Sequence, residues 1–164
     1  MDDLATQLEG LHADAFGWAL HCAGGDRTAA EDALQTSYLK ILDGHARFDR
    51  RAAFRTWVFA VIRRTVAEQR RGAVIRRWLP LGGEEVDHCT DPATRAARAD
   101  QTERLRAALD RLSARQREVL HLVFYQELTI AEAAGVLGIG LGSARTHYER
   151  GKAALRKLLG EDDR

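Results

Sequence analysis

At 164 residues, 45% hydrophobic and 30% charged, the chain can hold one ordinary domain or two small ones and reads as soluble and folded. No run approaches the eighteen or so apolar residues of a membrane span, and the acidic opening MDDLATQLEG is not a secretory signal, so no membrane insertion is expected. Only Cys22 and Cys89 occur, which excludes a disulfide framework and suits a reducing cytoplasm. Two prolines, Pro80 and Pro92, and few β-branched runs favour an all-α fold.

In chain order, Leu4, Leu8, Leu11, Ala15, Trp18 and Cys22 recur at three- and four-residue intervals, which predicts one helix burying that face. Gly24-Gly25 breaks it. Thr28 and Glu31 have capping-box spacing and open a second helix lined by Leu34, Tyr38, Ile41 and Leu42. Gly44 ends that helix, and the arginine-rich loop 44–53 (GHARFDRRAA) follows. A third helix turns Phe54, Trp57, Val58, Val61, Ile62 and Thr65 inward, and its far end, RRTVAEQRR, is polar and cationic. Residues 79–91 (LPLGGEEVDHCTD) read as a flexible linker, and Asp91-Pro92 as a helix start. Leu105, Leu109 and Leu112 continue at helical spacing. Ser113 and Gln116 form another capping box, opening a helix with Val119, Leu120, Val123 and Phe124 inward.

Residues 129–152 (TIAEAAGVLGIGLGSARTHYERGK) spell a DNA-reading helix-turn-helix. Thr129 and Glu132 cap its first helix, Ala131, Ala133 and Ala134 permit close approach, and Gly138 takes the left-handed conformation that ends it. A second helix opens near Gly142-Ser143. Ala134, Gly138 and Ala144 have the spacing of two crossed helices whose second member is free to enter a major groove. The expected organisation is therefore two small helical domains, 1–78 and 92–164, joined by 79–91.

A net charge of +1 conceals strong segregation. Residues 1–32 carry seven acids and one base, whereas residues 63–77 carry six arginines and one acid. Residues 82–103 carry six acids and two bases, whereas residues 145–157 carry five bases and one acid. Two basic helices separated by acidic segments point to two contacts with one polyanion.

Three stretches in order resemble one family. Residues 29–42 (AAEDALQTSYLKIL) are similar to the polymerase-binding helix of the extracytoplasmic-function (ECF) group of sigma factors, small members of the sigma-70 family. Residues 54–71 (FRTWVFAVIRRTVAEQRR) resemble that family's promoter-melting and −10 recognition helix, and 108–159 its −35 reading domain. The resemblance implies a transcription initiation factor whose partners are core RNA polymerase, promoter DNA and an anti-sigma factor that clamps both domains. It places Asp32 and Gln35 against the clamp helices of the polymerase, with Thr36 standing where the family usually has an acid.

It also gives the loop 44–53 the role of capturing an extruded −10 base, a step that costs a few kcal/mol and needs a receiving pocket. Arg47, Arg50 and Arg51 would hold flanking phosphates and Phe48 would anchor the loop, while Trp57 is expected in the core. Arg63 and Arg64 would contact bases or backbone near the −10 element, and Arg70 and Arg71 phosphates. In the second domain Arg145 would read a −35 base, supported by Ser143, Thr146 and His147, with Arg150 and Lys152 on phosphates. Ala133 and Ala144 replace larger aliphatic residues of the family, and Leu141 and Tyr148 are expected to fill the space.

His21-Cys22 and His88-Cys89 offer a zinc-like set, but adjacent helical residues diverge by about 100°, so no metal site is expected. No nucleophile elbow, phosphate-binding glycine loop or metal motif is present, so neither enzymatic activity nor a cofactor is expected. The rival reading is a stand-alone helix-turn-helix repressor or activator. A repressor would shift duplex DNA by itself, whereas a sigma factor should need core polymerase.

Overall fold

The computed structural model describes the backbone of residues 2–78 and 96–161, and the side chains of 3–72 and 103–160. Among the described residues there is no strand. The helices are α1 (Asp2–Gly10), α2 (His12–Cys22), α3 (Arg27–Leu42), α4 (Phe54–Trp78), α5 (Ala96–Asp110), α6 (Ala114–Leu120), α7 (Ile130–Leu137) and α8 (Leu141–Glu161), with a π-helical turn at His121–Tyr125. They form two compact units, α1–α4 in the first and α5, α6, α8 and most of α7 in the second. The expected joint 79–91 and the Asp91-Pro92 helix start lie outside the described residues.

In the N-terminal unit α2, α3 and α4 pack on one another. Small side chains make this close packing possible: Ala15 and Ala19 on α2, and Ala30, Ala33 and Ser37 on α3, are all buried. Ser37 satisfies its buried hydroxyl within its own helix by donating to the Ala33 carbonyl at 2.7 Å. Into this frame α4 inserts Val58, Phe59, Val61, Ile62, Thr65 and Val66. Trp18 is fully buried, stacks on Phe59 and donates its indole N–H to the Phe59 carbonyl at 3.0 Å.

Three local expectations change here. The single N-terminal helix is two, because α1 stops at Gly10 and α2 restarts after Leu11. Glycine is the weakest ordinary residue in a helix interior, so a break there is inexpensive. The cap of α3 is Asp26, whose Oδ1 accepts from the Ala29 N–H at 3.0 Å, rather than Thr28. Glu31 instead pairs with Arg27 at 2.9 Å, one turn back. Finally Leu42 does not line the interior; it is 47% exposed.

In the C-terminal unit α8 packs on α6 and α5. The Ser113–Gln116 capping box is present in both directions, as the spacing predicts. Val119 and Leu120 are buried, but Phe124 is 62% exposed and Leu122 takes the interior position. The cause is the π-helical turn, closed by Gln126 N–H onto the His121 carbonyl at 3.1 Å. A π turn adds a residue to the helical period and rotates everything after it.

Gly151 is buried where α8 crosses α6. A Cβ built there would lie 2.9 Å from Leu120 Cδ1 and 3.3 Å from Gln116 Cβ. We expect Gly151→Val to destabilise the C-terminal unit by about 1–3 kcal/mol through overpacking. Chemical denaturation of the full chain measures it, and a variant as stable as the parent would show that the crossing has slack.

Candidate polymerase and nucleic-acid interface

Local chemistry builds the helix-turn-helix as the spacing predicts. The Thr129 N–H donates to Glu132 Oε2 at 2.8 Å, and the Glu132 N–H donates back to Thr129 Oγ1 at 3.2 Å. Gly138 adopts φ +65°, and the Ile139 N–H closes the end of α7 onto the Ala134 carbonyl at 3.1 Å. Ala133, Ala134 and Ala144 are buried. Leu141 stays exposed, while Tyr148 is half-buried and stacks on Phe124 with centroids 5.8 Å apart.

On α8 the structure leaves Ser143, Arg145, Thr146 and Arg150 exposed, with His147 half-buried at the edge of that surface. Thr146 Oγ1 donates to the Gly142 carbonyl at 3.0 Å, so its proton is used within the helix. Lys152 is arranged differently. Its ammonium sits 4.7 Å from the centre of the Tyr148 ring and 3.8 Å from Glu149 Oε2. It is thus engaged by its own helix as well as being available to a phosphate.

In the N-terminal unit Gly44 (φ +72°) reverses the chain after α3, and the Ala46 N–H donates to the Lys40 carbonyl at 2.8 Å. The loop that follows presents Arg47, Arg50 and Arg51, all exposed. Arg50 is held at φ +60°, a conformation uncommon for a side-chain-bearing residue. Asp49 organises the tip: its carboxylate accepts from the Arg51 backbone N–H at 3.2 Å and lies 3.3 Å from the Arg51 guanidinium. Phe48 anchors the loop by packing edge-on against Phe54 and tilted against Trp57. Trp57 is therefore half-buried in an aromatic cluster of the loop, not in the core as expected. Its place on α4 faces the loop, where Phe48 covers it.

Beside this loop lies a groove of about 410 Å³, lined by Lys40, His45, Arg47, Trp57, Arg64 and Glu68 together with the buried Val61 and Thr65. Lys40 bridges Glu68 at 2.5 Å and Thr65 Oγ1 at 3.4 Å. The groove combines an aromatic face, cationic donors and one carboxylate acceptor, the chemistry that stacks and hydrogen-bonds a flat heterocycle. Arg64 is exposed on its rim and Arg63 is half-buried on the adjacent helix face. Arg70 and Arg71 are exposed two turns further on, with the Arg70 guanidinium resting against the Gly24 turn.

On α3 the residues Asp32, Gln35, Leu39 and Leu42 are all exposed at intervals of three, four and three, so they form one row. Leu39 is 56% exposed. Two exposed leucines beside a carboxylate and an amide suit a protein partner rather than DNA. Neither leucine was expected there, because a helix of uniform composition does not announce which apolar side faces outward. Thr36 leaves the row: it is half-buried and its Oγ1 accepts from Gln69 Nε2 at 3.5 Å, across to α4. Beside Leu42, α1, α2 and α3 enclose a groove of about 250 Å³ containing Tyr38, whose phenol burial pushes to a raised pKa.

Among the described residues no three His, Cys, Asp or Glu side chains gather as a metal site; His88-Cys89 lies outside them. No described helix is long and apolar enough to cross a membrane.

The family description Sigma-70 region 2 matches residues 9–74, and Sigma-70, region 4 matches residues 102–155. The chain belongs to the sigma-70 family. Within it, this sigma factor falls in the ECF group. It is 29% identical over 146 residues to the ECF RNA polymerase sigma factor SigC of Mycobacterium tuberculosis (strain CDC 1551 / Oshkosh), covering 89% of this chain and 78% of that one. It is 27% identical over 140 residues to the ECF RNA polymerase sigma factor SigX of Bacillus subtilis (strain 168), covering 82% and 72%. Its fold is that of the sigma factor RpoE of Bartonella quintana, solved with the anti-sigma factor NepR, at TM-score 0.72, 21% identity and 98% coverage of both chains. A sigma factor is a promoter-specific transcription initiation factor and not an enzyme.

Proposed function

We propose that this sigma factor docks on core RNA polymerase through the α3 row Asp32, Gln35, Leu39 and Leu42. It then directs the enzyme to promoters by reading the −10 element with the N-terminal unit and the −35 element with α8. The observation that supports this reading is a pair of cationic surfaces, one on α4 and its preceding loop and the other on α8 of the helix-turn-helix, whose Arg145 and Arg150 are exposed. In this reading domains 1–78 and 92–164 are joined by 79–91, and the protein works in the cytoplasm, where polymerase and chromosome are.

The groove beside Phe48 and Trp57 receives the extruded −10 base, with Arg47, Arg50 and Arg51 on the flanking phosphates. Arg63 and Arg64 lie next to the melted segment, and Arg70 and Arg71 neutralise backbone beyond it. The phosphoryl chemistry belongs to the polymerase. An anti-sigma factor, like the one bound to the Bartonella relative, would compete for these surfaces.

Run-off transcription with core polymerase tests the reading as a whole: initiation should require both proteins together. Replacing Asp32 and Gln35 together by alanine should weaken core binding roughly ten- to a hundredfold, the usual consequence of losing two interface side chains worth about 1.5–3 kcal/mol together. Titration of labelled sigma factor with core measures it, and an unchanged Kd would remove α3 as the docking surface.

A further inference from the structure

We infer that Glu149 is a second base-reading residue of α8, accepting a hydrogen bond from the exocyclic amine of a cytosine in the −35 element. The inference rests on the −35 reading proposed above and adds to it the base that one side chain selects.

Glu149 lies one turn beyond Arg145 and beside Arg150, and its side chain is 67% exposed. The helix face it shares also carries Thr146 and the small residues Gly142 and Ala153, all exposed, so this face can approach a groove floor closely. Lys152, 3.8 Å from Glu149 Oε2, offsets part of its charge, but a carboxylate facing the groove still weakens binding unless a donor on the DNA meets it. On the major-groove floor the donors are the amino groups of cytosine and adenine. Adenine also presents N7, an acceptor that a carboxylate repels, so cytosine is the base that fits.

The carboxylate has a cationic neighbour one turn along its own helix. Lys152 lies 3.8 Å from Oε2 and is itself held over the Tyr148 ring, which stacks on Phe124. Four residues along α8 rise roughly 6 Å, and base pairs stack at about 3.4 Å. The cytosine should therefore lie one or two base pairs from the base read by Arg145.

The test is selection from a promoter library randomised across the −35 element, using the full chain with core polymerase. Parent protein, Glu149→Gln and Glu149→Ala are compared. The parent should favour cytosine at one position. Glutamine, which pairs with adenine N6 and N7, should move that preference to adenine by roughly tenfold, and alanine should flatten it by a similar factor, with other positions unaffected. Variants that raise or preserve promoter use equally for all sequences would overturn the inference while leaving the −35 reading intact. A parent protein that selects no −35 sequence at all would overturn both.

Discussion

Trp18→Ala is expected to cost the N-terminal unit about 3–5 kcal/mol, the usual range for deleting a buried aromatic side chain. The indole is fully buried among α2, α3 and α4, stacked on Phe59 and bonded to the Phe59 carbonyl. The buried side chains that α2 and α3 add to this core include Ala15, Ala19, Ala30 and Ala33, which are too small to fill a void of that size. For a unit of this size the loss corresponds to a fall in Tm of roughly 15 °C or more.

Calorimetry of the full chain should show the effect in one transition only, because the C-terminal unit has its own core of Val119, Leu120, Leu122 and Ala144. Core-dependent initiation should fail with that transition, since α3 and the loop 44–53 are mounted on the same three-helix frame. A shift of only a degree or two would show that Trp18 is not the keystone of that frame.

Arg145→Ala should cost about 1–3 kcal/mol of discrimination at a single −35 base pair, roughly a five- to 150-fold change in relative promoter use. The residue is exposed in the second turn of α8, on the helix face that carries Thr146 and Glu149. Only a guanidinium offers two parallel donors to the O6 and N7 of guanine, which is why the effect should be confined to one position. Competition between matched and single-mismatch promoters measures it. A uniform loss for every sequence would reassign Arg145 to the phosphate backbone, where contacts position the protein without specifying a base.

Much of this molecule is legible before any packing is considered. Helix ends are decided by residues within four positions of one another, so Ser113 with Gln116, Thr129 with Glu132, Gly44 and Gly138 each end or begin a helix as their spacing predicts. Charge segregation is likewise a property of the chain, and it marks both surfaces proposed to meet the promoter. Where two local signals compete, spacing alone does not choose: Asp26 and Thr28 each lie three residues before a possible donor, and it is Asp26 that accepts from the Ala29 N–H, leaving Thr28 inside the helix.

Packing decides which side of each helix is hidden. Leu39, Leu42 and Phe124 are as apolar as their buried neighbours, and only the neighbouring helices and the π-helical turn determine that they face outward. The same is true of Gly151, whose missing side chain matters because α6 lies against it, and of Lys152, which Tyr148 draws back along α8. Capping and glycine geometry are short-range and therefore written in adjacent residues. Exposure depends on surfaces contributed from tens of residues away, and these exist only once the helices have packed.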